Sequence, residues 1–225
     1  MPSVVIPKSK ESSPSEIIIF SEEEVQAIVS KAKRTDGGFL YLLALGTGLR
    51  HGELMGLSYA DITPNGVRVI HQLSRVVEIT ENNRFASLEL IKVKSDSSVR
   101  TVPITDSLYK EFLGHKKMHE TEMLKQGYRT DFIFTTNTGQ FVDPSSSRVA
   151  YCRFMAKALG VKNYNEKGFH TFRRTFCTML VKNNPIEVVS RIMGHSDISV
   201  TAKYYAFVAD LRQQQAVNSI NNIFL

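Results

Sequence analysis

The sequence predicts an α+β domain that is mostly helical and carries one small antiparallel sheet. Helix caps and apolar periodicity near 3.6 residues run from Ser21 to Leu57 and return beyond Pro103. Between them, residues 67–104 hold short β-rich runs separated by polar turns. Length and composition agree: 225 residues, 42% hydrophobic and 22% charged, make a chain able to bury its own core. Two cysteines, Cys152 and Cys177, cannot form a disulfide framework and read as reduced intracellular thiols. No apolar run approaches the ~18 residues of a membrane span, and the first residues lack the apolar core of a signal peptide. A secreted mini-protein, a membrane protein and a disordered tail are excluded.

Residues 1–16 place Pro2, Pro7 and Pro14 among Ser and Lys and are expected to be a linker, with the folded domain spanning 17–225. Ser21 and Glu24 form a capping box, and Phe20 with Val25 a hydrophobic staple, so a helix starts at Ser21. GGFLYLLALGTG is too short for a membrane and reads as a buried helix. LRHGELMGL follows as a short amphipathic helix, closed by Asp61 and the turn Pro64-Asn65-Gly66. VRVIHQ, RVVEI, ASLELI and VRTVPI are the expected strands. Leu108, Phe112, His115, His119 and Met123 then share one helix face. Asp143-Pro144 starts a helix that Gly160 stops, and HTFRRTFCTMLVKNN is a helix ended by Pro185. PIEVVSRIMG stops at Gly194, and a last helix begins near Ser199.

Among chemistry-bearing residues, His115 and His119 have a two-ligand spacing for a metal, but no third ligand accompanies them. A buried face with two hydrogen-bonded histidines explains them more simply, so no metal and no cofactor is expected. A second set is spread along the chain. His170 and Arg173 are three apart on one helix face, His195 follows the helix stop at Gly194, and Arg50 follows the turn Gly46-Thr47-Gly48. Guanidinium groups match phosphate oxygens bidentately. The formal charge, 28 − 22 = +6, favours a polyanionic partner. Together these features suggest metal-free phosphoryl transfer.

The same residues carry a resemblance to the catalytic domain of the tyrosine recombinase, or phage integrase, family, as in temperate phages and conjugative transposons. GTGLRHGELMGL resembles its first arginine box, with Arg50 catalytic and Glu53 in the usual acidic position. KSDSSVRTVPI resembles its hairpin box, which makes Lys94 the catalytic lysine. HTFRRT resembles its H-x-x-R box through His170 and Arg173, and MGHSDISVTAKYYAFV its closing box through His195 and a tyrosine. Both Tyr204 and Tyr205 fit the family spacing. At about 100° per residue, Val200, Tyr204, Phe207 and Leu211 form one apolar stripe, which leaves Tyr205 the freer hydroxyl and the favoured nucleophile, with Tyr204 the alternative.

The resemblance implies a DNA breaking–rejoining fold and site-specific recombination through a covalent 3′-phosphotyrosine, to integrate or excise a mobile element. It implies that Arg50, Arg173 and His195 stabilise the phosphorane, His170 removes the phenolic proton and Lys94 protonates the leaving 5′ oxygen. The expected partner is double-stranded DNA, bound by a homotetramer assembled from free monomers in the cytoplasm. No helical DNA-binding domain fits before residue 17, so an isolated catalytic domain is expected. Lys92, Arg100, Arg148, Arg153 and Arg174 are expected to face DNA phosphates or solvent. The rival readings are a type IB topoisomerase-like activity and a DNA-binding regulator with a dead site. In the tail, Val217, Ile220 and Phe224 share a helix face that must pack, either on its own domain or, as the resemblance suggests, on a neighbouring protomer.

Overall fold

Helix α1 (Glu22–Ala32) begins where its caps dictate in the computed structural model, which describes residues 17–79, 84–93, 98–162, 164 and 167–221. Ser21 accepts from the Glu24 N–H, and the Glu24 carboxylate accepts from the Ser21 N–H at 2.8 Å. Phe20 is buried and Val25 packs on the same core, as the staple requires. Lys167 grips Glu24, and the Phe20 N–H donates to the Thr175 hydroxyl at 2.9 Å, so the entry to α1 is tied to distant chain. Helix α2 (Phe39–Thr47) lies at the centre, with Leu43 and Ala44 fully buried. It packs against α1, α4 (Asp106–Gln126) and α6 (His170–Val181).

Helix α3 (His51–Met55) is shorter than its sequence suggests. Gly56 ends it, and Ser58 and Asp61 cap a separate 3-10 turn over Tyr59–Asp61. The expected single sheet is two sheets. Strands β1 (Ile62–Thr63), β2 (Gly66–Val69) and β5 (Arg100–Val102) make one, in the order β1-β2-β5. Strands β3 (His71–Ile79) and β4 (Arg84–Lys92) pair only with each other, as a hairpin inserted between β2 and β5. Among the described residues of that hairpin, deep burial is confined to its root, through Leu73 and Val93. Burial therefore does not draw its outer half, with Val77 exposed, into the core sheet.

The helices after the sheet follow the predicted stops. Helix α5 (Pro144–Leu159) ends before left-handed Gly160, α6 ends four residues before Pro185, and α7 (Ile186–Met193) ends at left-handed Gly194. Helix α8 (Ile198–Asn221) starts one residue earlier than expected, its first turn braced by the Asp197 carboxylate on the Ser199 N–H at 2.8 Å. It continues well past Leu211, but the side chains of Val217 and Ile220, and all of Phe224, lie outside the described residues. So do the linker 1–16 and Lys94. The described residues contain no helix long and apolar enough to cross a membrane.

The histidine pair on α4 is half as expected. His119 is hydrogen-bonded to Tyr59 and, at 3.1 Å, to Tyr128. His115 instead lies against Phe39, with ring centroids 4.9 Å apart and neither nitrogen hydrogen-bonded. Burial lowers its pKa to about 4, so the ring is neutral and acts as an aromatic packing element. No cluster of three metal-ligating side chains occurs among the described residues.

Candidate active site

Two helix ends build the site. Helix α2 stops at Gly48, whose φ of 60° is the left-handed conformation that releases the chain toward Arg50. A Cβ there would also stand 2.4 Å from the Phe176 ring, so a side chain is doubly disfavoured. Helix α7 stops in the same way at Gly194 and presents His195 immediately after it. Both ends leave backbone carbonyls without helical partners, at the negative pole of the helix. Arg173, only 3% exposed, fills both vacancies: its guanidinium donates to the Gly48 carbonyl at 3.0 Å and to the Met193 carbonyl at 2.5 Å. Its pKa is lowered to about 10, first by burial and then by the charge of Arg50, and it stays cationic at neutral pH.

Arg50 is the N-cap of α3 and keeps its side chain partly open to solvent. Glu53, 1% exposed, anchors it twice: the carboxylate accepts from the Arg50 guanidinium and from the Arg50 backbone N–H, both at 2.8 Å. Burial pushes the Glu53 pKa up, but hydrogen bonding and charge from Arg100, with Arg50, outweigh it and hold the carboxyl below its ordinary range. The hydrogen bond between His195 Nδ1 and the buried Thr201 hydroxyl is 2.9 Å long and ties the post-α7 turn to α8. His170 opens α6 at the exposed edge of the site. Partial burial first, then Arg173, Arg174 and Arg50, lower its pKa. His195 is lowered to about 4 by burial, followed by Arg173, Arg50 and Arg100. The structure thus gathers Arg50, His170, Arg173 and His195 within one another's electrostatic reach. Both histidines are neutral at pH 7, and the arginines supply positive charge.

The tyrosines flank this cluster. The core face of α8 runs through Thr201 and Val208, not through Val200, which is 40% exposed. The phase inferred from the sequence is therefore shifted, because the polar Thr201 is buried as the partner of His195. Tyr204 and Tyr205 both pack against Cys177, Val181, Val189, Met193 and Val208. Burial raises the Tyr204 pKa, and the charges of Arg174 and Arg173 oppose that rise. The Tyr205 hydroxyl is not free: it donates to the Asn184 carbonyl in the turn between α6 and α7.

Arg100 is the residue the sequence reading misplaced. It is 8% exposed, and its guanidinium pairs with Glu53 at 2.9 and 3.1 Å rather than meeting DNA or solvent. A signal for this exists. Arg100 stands two residues from Val102 on β5, and alternate strand residues share a face, so it points inward with that fully buried valine. Lys92, Arg148 and Arg153 are exposed, and Arg174 is half-buried.

The sequence profile of the phage integrase family matches residues 19–211. A XerC-like tyrosine recombinase of Caldanaerobacter subterraneus subsp. tengcongensis is 36% identical over 99% of this chain and 59% of its own length. The transposase of transposon Tn916 from Enterococcus faecalis is 29% identical over 86% of this chain and 48% of its own. The chain thus spans about half the length of these relatives. An integrase of transposon Tn1549, solved with circular intermediate DNA, shares the fold at a TM-score of 0.65 and 22% identity, over 92% of this chain and 68% of its own. The XerA recombinase does so at 0.65 and 20%, over 94% and 67%. At such identities these structures establish the fold alone. The family match, covering most of the chain in the region that contains every element of the site, shows that the protein belongs to the phage integrase family.

Proposed function

We propose that residues 17–225 form the catalytic domain of a site-specific tyrosine recombinase that cuts and rejoins double-stranded DNA to integrate or excise a mobile element. The convergence of Arg50, His170, Arg173 and His195 from three separate sequence boxes carries this reading. In the proposed reaction the Tyr205 oxygen attacks the scissile phosphorus and the bond to the 5′ oxygen breaks. The products are a 3′-phosphotyrosine and a free 5′ hydroxyl. The phosphoester bond is conserved, so rejoining needs no nucleotide, metal or cofactor. His170 takes the phenolic proton and Lys94 gives one to the 5′ oxygen, each transfer contributing roughly 10²–10⁴ in rate. Arg50 and Arg173 neutralise the non-bridging oxygens, and His195 donates to one of them.

The nucleophile must first leave the Asn184 carbonyl, and assembly on DNA as a tetramer supplies the rearrangement of α8 in this proposal. A mobile-element substrate is supported by the relatives named for transposons, and the proposal assigns the action to the cytoplasm. A second reading makes Tyr204 the nucleophile, because that hydroxyl feels Arg173 and Arg174. The test incubates the protein with nicked suicide duplexes of randomised sequence and maps the phosphotyrosine by mass spectrometry. An adduct on Tyr205 is expected, and one on Tyr204 selects the second reading. Supercoil relaxation without strand exchange marks a topoisomerase-like enzyme. Absence of any adduct overturns the proposal in favour of a DNA-binding regulator.

A further inference from the structure

We propose that Arg100 is a positioning residue for cleavage, a single guanidinium that fixes the separation between Arg50 and His195. The inference rests on the recombinase reading above. Its basis is connectivity. One edge of Arg100 pairs with both oxygens of Glu53, at 2.9 and 3.1 Å, and those same oxygens hold the Arg50 side chain and backbone at 2.8 Å. The Nε–H donates to the Ile192 carbonyl at 3.0 Å, at the end of the helix that delivers His195. A further N–H reaches the Ser98 carbonyl at 3.0 Å, where the chain enters β5. The packing leaves no slack. A Cβ on Gly194 would stand 2.8 Å from Arg100 Cδ and 3.0 Å from its Nε, so the turn before His195 rests directly on this side chain.

Arg100 is buried and linked to Arg50 through Glu53. It acts through its neighbours and is not itself proposed to touch the phosphate. Lysine cannot span Glu53 and Ile192 together, because it lacks the planar fork. Misplacement of a reacting group by ~1 Å can cost roughly 10²-fold in rate.

The test measures single-turnover adduct formation by the Arg100→Lys variant on ordinary DNA and on DNA with a methylphosphonate at the scissile position. The methylphosphonate lacks one of the charged oxygens that Arg50 is proposed to neutralise. The expected result is a rate at saturating DNA lower by about 100-fold, with the half-saturating DNA concentration changed less than about threefold. The defect should shrink to below about tenfold on the methylphosphonate, because less charge then awaits alignment. A purely structural role predicts the same fractional loss on both substrates, matched to a smaller folded fraction, and that outcome overturns the inference. Should Arg100→Lys fail to fold, Arg100→Gln with Glu53→Gln removes both charges of the buried pair together, so neither is left facing the other's absence. Its defect should then be no greater than that of Glu53→Gln alone, since both act on Arg50 through one link. A loss in the double variant larger than that of Glu53→Gln refutes that link. If the wild-type protein forms no adduct, the recombinase reading falls and this inference with it. A cleaving wild type with an indifferent Arg100 defeats the inference alone.

Discussion

Replacing Thr201 by valine exchanges a hydroxyl for a methyl at a position that is fully buried, and so isolates one hydrogen bond. Both residues are β-branched, so helix α8 itself is little affected. What changes is the 2.9 Å contact to His195 Nδ1. For His195 to donate through Nε2 to a phosphate oxygen, Nδ1 must accept, and the Thr201 O–H is the group placed to donate to it in this tautomer. Valine leaves Nδ1 unpaired in a desolvated site, at a cost of about 1–3 kcal/mol. For a domain of this size, a middle value of about 2 kcal/mol lowers the melting temperature by roughly 4–8 °C. Loss of a complete oxyanion donor costs about 10²–10³ in rate, and an unfixed but present ring should cost less, about 10–100-fold. Thr201→Ser is the control: it gives up one methyl, worth about 1 kcal/mol, and keeps the hydrogen bond. The assay is single-turnover adduct formation at saturating DNA, with melting followed by circular dichroism. A folded valine variant cleaving at the wild-type rate, or a serine variant as slow as valine, would refute the tautomer argument.

Four other outcomes are expected. Tyr205→Phe should abolish adduct formation with binding and melting little changed, whereas Tyr204→Phe should retain it; the reverse pattern moves the nucleophile to Tyr204. Lys94→Ala should cripple cleavage of ordinary DNA but far less that of DNA with a 5′-bridging sulfur, since a thiolate leaves without a proton; equal defects remove Lys94 from the acid role. Arg50→Lys should cost about 10²-fold or more despite conserving charge, and near-normal rates would make Arg50 merely structural. His170 and His195 have pKa values below the ordinary 6.5, so each binds a proton more readily unfolded than folded. Stability is therefore retained above pH 6.5 and lost as the pH falls from there toward about 4. A melting temperature that rises on acidification through that window contradicts the assignment.

How much of this could be read from the sequence depends on whether the information is local. Helix α1 was legible because a capping box and a staple are signals within six residues. The stops of α5 and α7 were legible because Gly160 and Gly194 adopt left-handed backbone, which favours glycine. The split of the sheet was not, because it depends on β5 choosing β2 over β4, a pairing across more than thirty residues. The boxes of the candidate site were visible as separate pieces, but the bonds that join them mostly end on main-chain carbonyls, which every residue type offers. Arg100 was misplaced for a related reason. Its inward direction follows from strand alternation, yet its partner Glu53 lies 47 residues away. The shifted phase of α8 arose from reading Val200 as core on hydropathy alone, while a polar residue, Thr201, takes the buried position to serve His195.

The carbonyl ends also explain how one site can be both rigid and available. Arg173 spends hydrogen bonds on Gly48 and Met193, and Arg100 one on Ile192, all at carbonyls where α2 and α7 stop. These are acceptors that a helix end must satisfy somehow, so the guanidiniums relieve a cost the fold already carries. Because the partners are backbone, the arginines are located by where the helices end and not by other side chains that could rotate away. Arg173 uses only part of its donor set in this way, which leaves N–H groups for a phosphate oxygen without breaking its anchorage. Arg50 is held differently, through one buried carboxylate, and stays open to solvent. Tyr205 also ends on a backbone carbonyl, that of Asn184 in the turn between α6 and α7, but with a single bond and no ion pair. Such a neutral bond contributes only about 0.5–1.5 kcal/mol net, so the proposed nucleophile is held by less than the arginines are. In the proposed reaction, movement of α8 delivers the tyrosine without breaking the bonds that hold Arg50 and Arg173.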